Sequence, residues 1–362
     1  MVEAPGQRGK PAVLGVVEFH QPAHDTRTLP PRRRRTRGRM PAMAADARGG
    51  RRDEKGHWRP AEPCSYAPLF SLPWRPGKVI AWILRWGGYL IPKHVLYAGL
   101  AFLTWRFLQA DLAVTQSWAV GWPLAMLARN AALMLLVYGF YHAMLYVWRV
   151  DGDRGKYHPQ WQQKGVRKFL FDDQVKDNVF WSLVSGVPVW TAWEALYLWL
   201  AGNGWVATIT WSSNPVWFIA LFLLIPLWRD THFYFTHRLL HWKPLLRAVH
   251  SVHHKNPSPI PWTGMAMHPV EHLLYLSVLV IFFVVPAHPI HVLFTMQLTA
   301  LTPAQSHTGF EGPVFRGVWP AGNYFHYLHH KHVSCNYGFP VIPWDRWLGR
   351  FYDGEGPYRT RP

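Results

Sequence analysis

Residues 89–108, 121–148, 179–200, 215–228 and 273–301 are apolar at nearly every position. Runs of about twenty apolar residues are long enough to span a bilayer as helices. Three of the five depart from that ideal. Gly186 and Pro188 interrupt the third, the fourth is short, and Val285-Pro286-Ala287-His288-Pro289 breaks the fifth near its middle. The polar segments between them are uneven in charge. Arg149, Arg154, Lys156, Lys164, Arg167, Lys168 and Lys176 follow the second run, whereas the first link has nothing basic beyond Arg106 and the third has no Lys or Arg. Cytoplasmic loops carry the Lys and Arg excess, so the long basic link is expected in the cytoplasm. Counting crossings from there returns the chain to the cytoplasm at Arg229.

What lies outside these runs has a different texture. Residues 1–76 are rich in Pro, Gly and Arg and show no helical period, including Arg32, Arg33, Arg34, Arg35, Arg37 and Arg39. They read as a disordered basic region. Met40 and Met43 are alternative starts, so no function is placed there. The expected division is therefore that region, transmembrane helices over 77–229, a catalytic domain over 230–352 and a tail over 353–362. Composition agrees with a membrane chain. Hydrophobic residues are 49% of 362, charged residues only 16%, and Trp numbers 22. The net charge of +18 is then basic loops rather than a nucleic-acid footprint. Two cysteines, Cys64 and Cys335, exclude a disulfide framework, and no Cys-x-x-Cys pair offers a zinc-finger or thioredoxin reading.

The chemistry sits in the histidines. Of 21, 15 lie between His232 and His332. They form His237-Arg-Leu-Leu-His241, His250-Ser-Val-His253-His254 and His326-Tyr-Leu-His329-His330. Positions i, i+3 and i+4 share one helix face, so each cluster can aim two or three imidazoles at one point. Pro244 separates the first two clusters into helical pieces able to converge. Eight imidazoles exceed the four ligands of one structural zinc. They suit two metals, each with three or four nitrogens and an open position. Imidazole suits Fe, Zn, Cu or Ni, and the scarcity of carboxylates argues against Mg or Ca. If all three clusters make one site, the fifth run must return to the side it left. A hairpin of residues 273–285 and 290–301, turning at Pro286 and Pro289, meets that demand.

The string Asp230, Tyr234, His237-Arg238, His241, followed by the two His-x-x-His-His clusters, resembles the fatty acid hydroxylase/sterol desaturase superfamily. His250 to Pro261, with His268-Pro269 downstream, resembles its C-5 sterol desaturase branch. Asn336-Tyr337-Gly338 and the segment Trp344 to Arg350 resemble the family's C-terminal ending. The resemblance implies an all-α, polytopic membrane helical bundle with a cytoplasmic histidine-rich di-metal cap. It implies two irons held by His237, His241, His250, His253, His254, His326, His329 and His330, with O2 as co-substrate. It implies further that a lipid, sterol-like or fatty acyl, is hydroxylated or desaturated. His268, His272 and His307 occupy positions where relatives carry extra ligands or oriented partners, and His232 and His332 are near-site candidates. Trp262, Met265 and Met267 are candidates for lining substrate access. No Rossmann glycine pattern and no heme or ferredoxin cysteine spacing is present. Electrons are therefore expected from a separate ferredoxin or cytochrome b5-like donor with its reductase, docking on Arg238, Lys243, Arg247 and Lys255.

Two competing readings remain at this level. His268-Pro-Val-Glu271-His272 matches the His-x-x-Glu-His of a zinc metallohydrolase, with Glu271 activating water. A histidine-lined metal transporter would instead place its ligands at mid-depth in the bundle. The first leaves the other clusters unexplained, and the second conflicts with their polar, basic surroundings.

Overall fold

The computed structural model describes residues 49–358. The arginine run and both alternative starts lie outside the described residues. The described residues belong to one compact unit and are chiefly helical. Four short helices and nine longer ones among the described residues are arranged as follows. A two-stranded antiparallel pair, β1 (Arg51–Arg52) and β2 (Trp58–Arg59), precedes helix α1 (Pro76–Leu84). Then come α2 (Val95–Phe107), α3 (Gly121–His142), α4 (Gln174–Trp181), α5 (Val187–Gly202) and α6 (Pro215–Leu240). The cap begins with the short α7 (Lys243–Leu245) and α8 (Ser251–His254). The hairpin arms are α9 (Pro269–Leu276) and α10 (Pro289–Leu301), and α11 (Pro303–Ser306), α12 (Tyr324–His332) and α13 (Trp344–Trp347) complete the chain.

Gly121–Val147 and Pro215–Leu240 are each long and apolar enough to cross a membrane. Only about a third of either apolar window is buried, 33% and 28%, so these are not core helices of a soluble domain. Leu124, Leu136 and Phe140 on α3 and Val216, Ile219 and Leu224 on α6 stand exposed, as they would against lipid. The fourth run does not stop at residue 228 as its hydropathy suggested. Helix α6 continues through Pro226 and through the expected boundary at residues 229 and 230, and carries His237 on its last turns. The third run is one path too, because a wide turn at Ser182–Gly186 joins α4 to α5.

The fifth run forms the expected hairpin. Its outbound arm is α9 followed by Ser277–Phe283, and Pro289 opens the return arm at the first helical position, where its missing N–H is harmless. Every residue of α10 is buried. It runs through the centre of the bundle, against α2, α3, α5 and α6. Its threonines spend their hydroxyls locally: Thr295 and Thr299 donate to the His291 and Thr295 carbonyls, both at 2.7 Å. Helices α3 and α5 are pinned by a buried Arg129–Glu194 ion pair. Trp190 Nε1 also donates to that carboxylate, at 2.6 Å.

Residues 49–76 depart from the expected disorder. Trp58 is 1% exposed and packs with Tyr157 and Tyr327, and Tyr66 is buried against Phe325 and Phe351. These aromatic anchors replace helical period as the source of order. The tail behaves similarly as far as residue 358: the Tyr358 ring lies against His332, and its hydroxyl is 2.6 Å from Ser334 Oγ.

Candidate metal centre

Four pieces of chain bring the histidines together. His237 and His241 share one face of the end of α6. The chain turns at Trp242, Pro244 enters the first turn of α7, and a wide turn at Leu246–His250 leads into α8 with His253 and His254. The return arm of the hairpin ends just before His307. Asn323 caps α12, accepting from the His326 N–H at 3.2 Å, and so sets the start of the helix that carries His326, His329 and His330. Gly264 makes the approach of α11 possible: a Cβ there would lie 2.6 Å from the Pro303 backbone.

The result is two groups of imidazoles. His237, His241, His250, His254 and His329 form one, and His253, His307, His326 and His330 the other. Within each, the candidate ligand atoms lie within 4.8 Å of one another. In the first group Nε2 faces Nε2: His237 to His250 at 3.1 Å, His237 to His241 at 3.3 Å, His241 to His254 at 3.2 Å and His254 to His329 at 3.0 Å. In the second, His326 Nε2 lies 3.0 Å from His307 Nε2.

The outer nitrogens decide what these contacts are. His237 Nδ1–H donates to the Tyr337 carbonyl at 2.6 Å, and His329 Nδ1–H to the Cys335 carbonyl at 2.7 Å. His250 Nδ1 is 2.7 Å from Glu271 Oε1, and His307 Nδ1–H reaches the Pro303 carbonyl at 3.0 Å. A neutral imidazole protonated on Nδ1 presents a bare lone pair at Nε2. Lone pairs converging at about 3 Å are repulsive unless a cation lies among them. Both ring nitrogens of His330 are buried without a protein partner, a costly arrangement that a metal ligand resolves. Burial, reinforced by the neighbouring imidazoles, holds His250, His253, His254, His326, His329 and His330 well below the ordinary histidine range. Burial chiefly brings His307 down to about 4. The neutral form is the metal-binding form. Burial also pushes the Glu271 carboxyl up, so its ionised form needs the positive charge that a metal on His250 would bring. The residues present therefore fit two metal ions.

All eight expected histidines enter these groups, and His307 joins them as a ninth. The groups number five and four nitrogens, not three or four each. His268, His272, His232 and His332 enter neither. His268 caps α9, accepting from the Val270 N–H, and His272 lies between Ser185 Oγ and the Met265 carbonyl. His232 meets Ser277, and His332 stacks on Tyr358. The zinc-hydrolase motif is thus dismantled: Glu271 faces His250, while His268 and His272 look elsewhere. Of the access candidates only Met267 lines the small cavity of about 20 Å³ beside the histidines, with Phe233, Tyr275 and Phe339. Trp262 packs on Tyr138, and Met265 is wholly buried. The basic rim divides as well. Lys243 and Arg247 are exposed, but Arg238 donates to Tyr234 Oη at 2.6 Å and Lys255 pairs with Asp177 at 2.8 Å.

Some contributors had no histidine to mark them. Asp345 accepts from the Tyr337 and Gly338 N–H groups, both at 2.8 Å, and so fixes the carbonyl that holds His237. Burial pushes Asp345 up to about 6 against those two hydrogen bonds.

The chain is thus mostly helical, with two polyhistidine groups that could hold metal and two helices long and apolar enough to cross a membrane. Residues 222–350 match the family model for fatty acid hydroxylase. Among characterised proteins, the chain is similar to a methylsterol monooxygenase of Aspergillus fumigatus, 30% identical over 199 residues, which is 50% of this chain and 57% of that protein. It is 30% identical over 176 residues to the Delta(7)-sterol-C5(6)-desaturase of Nicotiana tabacum, 46% of this chain and 62% of that one. It is 31% identical over 136 residues to the lathosterol oxidase of Mus musculus, 36% and 46% respectively. These relatives are oxidoreductases, and the chain spans roughly half to three-fifths of their length. No solved structure matches it.

Proposed function

We propose that the chain is a multi-pass membrane enzyme, a non-heme di-iron oxygenase or desaturase, acting on a lipid C–H bond with O2 and electrons from a separate donor. One observation carries this reading: nine imidazoles turn their ligand nitrogens inward in two groups, while protein acceptors hold several outer nitrogens. Iron, when bound, supplies activation of O2 for attack on an unreactive C–H bond. The protein supplies the rest. Tyr337 and Cys335 carbonyls and Glu271 orient three rings before any metal arrives. Phe233, Met267, Tyr275 and Phe339 keep the adjoining cavity small and largely dry. The basic links support a centre at the cytoplasmic face, where Lys243 and Arg247 would meet an acidic ferredoxin or cytochrome b5-like donor.

The test is metal content per chain on detergent-purified protein, beside a His253→Ala/His329→Ala variant that removes one ligand from each group. About two metals per wild-type chain are expected, with a clear drop in the variant. Iron and zinc are to be counted separately, since zinc replaces iron at imidazole sites during expression. A single zinc that survives the double variant and disappears in His272→Ala overturns the reading.

A further inference from the structure

Beside the histidine centre lies a second and far larger cavity, about 800 Å³ and open on one side. Ser306 and Phe339 line both cavities, so the large one adjoins the place where chemistry is proposed. Trp82 and Trp86 form part of its wall. Around them Ile80, Leu84 and Trp86 present exposed apolar surface, so its mouth opens where a lipid surface would lie. The size fits a lipid far better than the small cavity does.

One part of the wall brings together Lys93, His94, Arg229 and Asp230. Arg229 is 4% exposed, and its guanidinium lies 4.9 Å from the centre of the Phe339 ring, the shared wall. It reaches Asp230 Oδ1 at 3.4 Å and donates to Thr302 Oγ1 at 2.9 Å, which leaves its Nε buried without a partner. His94, 5% exposed, has a buried Nδ1 without a partner. Lys93 has no hydrogen-bond or ion-pair partner among the described residues. Two cations thus share one carboxylate. Glu62, Arg85 and Glu311 also line the cavity, and Glu311 accepts from the Tyr157 hydroxyl. Two cations sharing one carboxylate in a largely enclosed place are expensive unless something negative completes them.

We infer that this cavity receives the head of the lipid substrate and that the head is an anion, a carboxylate or a phosphate, held by Lys93 and Arg229. The inference rests on the lipid-oxidation reading above and narrows its substrate class. Arg229 and His237 are eight residues apart on α6, about 12 Å at the rise of an α-helix. The carbon offered to the histidines would then lie about that far from the head, along a tail that passes Phe339 and Ser306.

The experiment is a binding titration on detergent-purified, metal-loaded protein, read by tryptophan fluorescence. The probes are palmitate, hexadecyl phosphate, hexadecanol and cholesterol, each added in turn. One of the two anions is expected to bind about tenfold or more tighter than hexadecanol, the scale of a hydrogen bond to a charged group. Whichever anion binds more tightly identifies the head as carboxylate or phosphate. Lys93→Gln should remove that preference while leaving hexadecanol binding and metal content unchanged, and Lys93→Arg should restore it. Hexadecanol or cholesterol binding as tightly as both anions overturns the inference, as does a preference that survives Lys93→Gln. Metal content and O2-dependent oxidation on the same preparations keep the two readings apart. A metal-replete enzyme without anion preference overturns only this inference, whereas a chain that holds no metals overturns the proposed function.

Discussion

The two histidine groups draw on the same short motifs, yet they are held in different ways. In the five-membered group His237, His250 and His329 each give Nδ1 to an acceptor fixed elsewhere in the fold, Tyr337 O, Glu271 and Cys335 O. In the four-membered group only His307 has such an anchor, the Pro303 carbonyl. His326 Nδ1 and both nitrogens of His330 are buried without protein partners. The first group includes two partly exposed rings, His241 and His254, while the second is buried throughout. The five-membered group is thus oriented before metal binds and stays near the surface. The four-membered group is oriented by packing and would be completed by a metal.

The largest expected effect comes from removing one ring from each group separately. His330→Ala leaves three nitrogens in a group that has little other support, and it should cost that group its metal, taking content from about two ions per chain to about one. His254→Ala leaves four nitrogens, three of them still anchored, and should retain close to two ions. Elemental analysis of both variants decides the matter. Equal losses, or the reverse order, would break the contrast between a metal-dependent group and a preformed one.

A smaller effect tests the anchors. Glu271→Gln keeps an acceptor near His250 but removes the charge. Loss of such an oriented partner typically costs ten- to a hundredfold in metal affinity. The weakening should appear in chelator competition for one ion of the two, and Glu271→Ala should exceed Glu271→Gln. If both ions weaken together, the groups are coupled more tightly than their separate anchors indicate.

Glu271 also shows where sequence reasoning reached its limit. The eight histidines were legible because helical spacing alone puts i, i+3 and i+4 on one face, and gathering them into one site required a hairpin whose turn the proline break in residues 273–301 located. Glu271 was legible only as part of His-x-x-Glu-His, a motif suggesting water activation. Its true partner, His250, is 21 residues away and arrives only through the α9 turn. The Tyr337 and Cys335 carbonyls carry no side-chain signature at all, and Asp345 works through two backbone N–H groups. Residues 49–76 were misread for a related reason. Their order comes from Trp58 and Tyr66 docking on distant aromatic rings, a tertiary effect that leaves no period in the local sequence.

The smallest expected effect concerns how electrons reach the more exposed group. Lys243 and Arg247 lie in the chain between His241 and His250 and are exposed, whereas Arg238 and Lys255 are already engaged with Tyr234 and Asp177. A Lys243→Glu/Arg247→Glu variant should therefore keep both metals and fold normally. Its rate of reduction by an acidic donor should fall several-fold at low salt, and the deficit should shrink as ionic strength rises through about 0.15 M and the Debye length shortens to about 8 Å. Arg238→Gln should leave that salt dependence nearly unchanged, because its guanidinium is committed to a neighbouring hydroxyl. Stopped-flow reduction of the oxidised centre across a salt series measures both. A double variant reduced at the wild-type rate at every salt concentration would remove the donor from this face, and with it the reason for the five-membered group to lie nearer the surface.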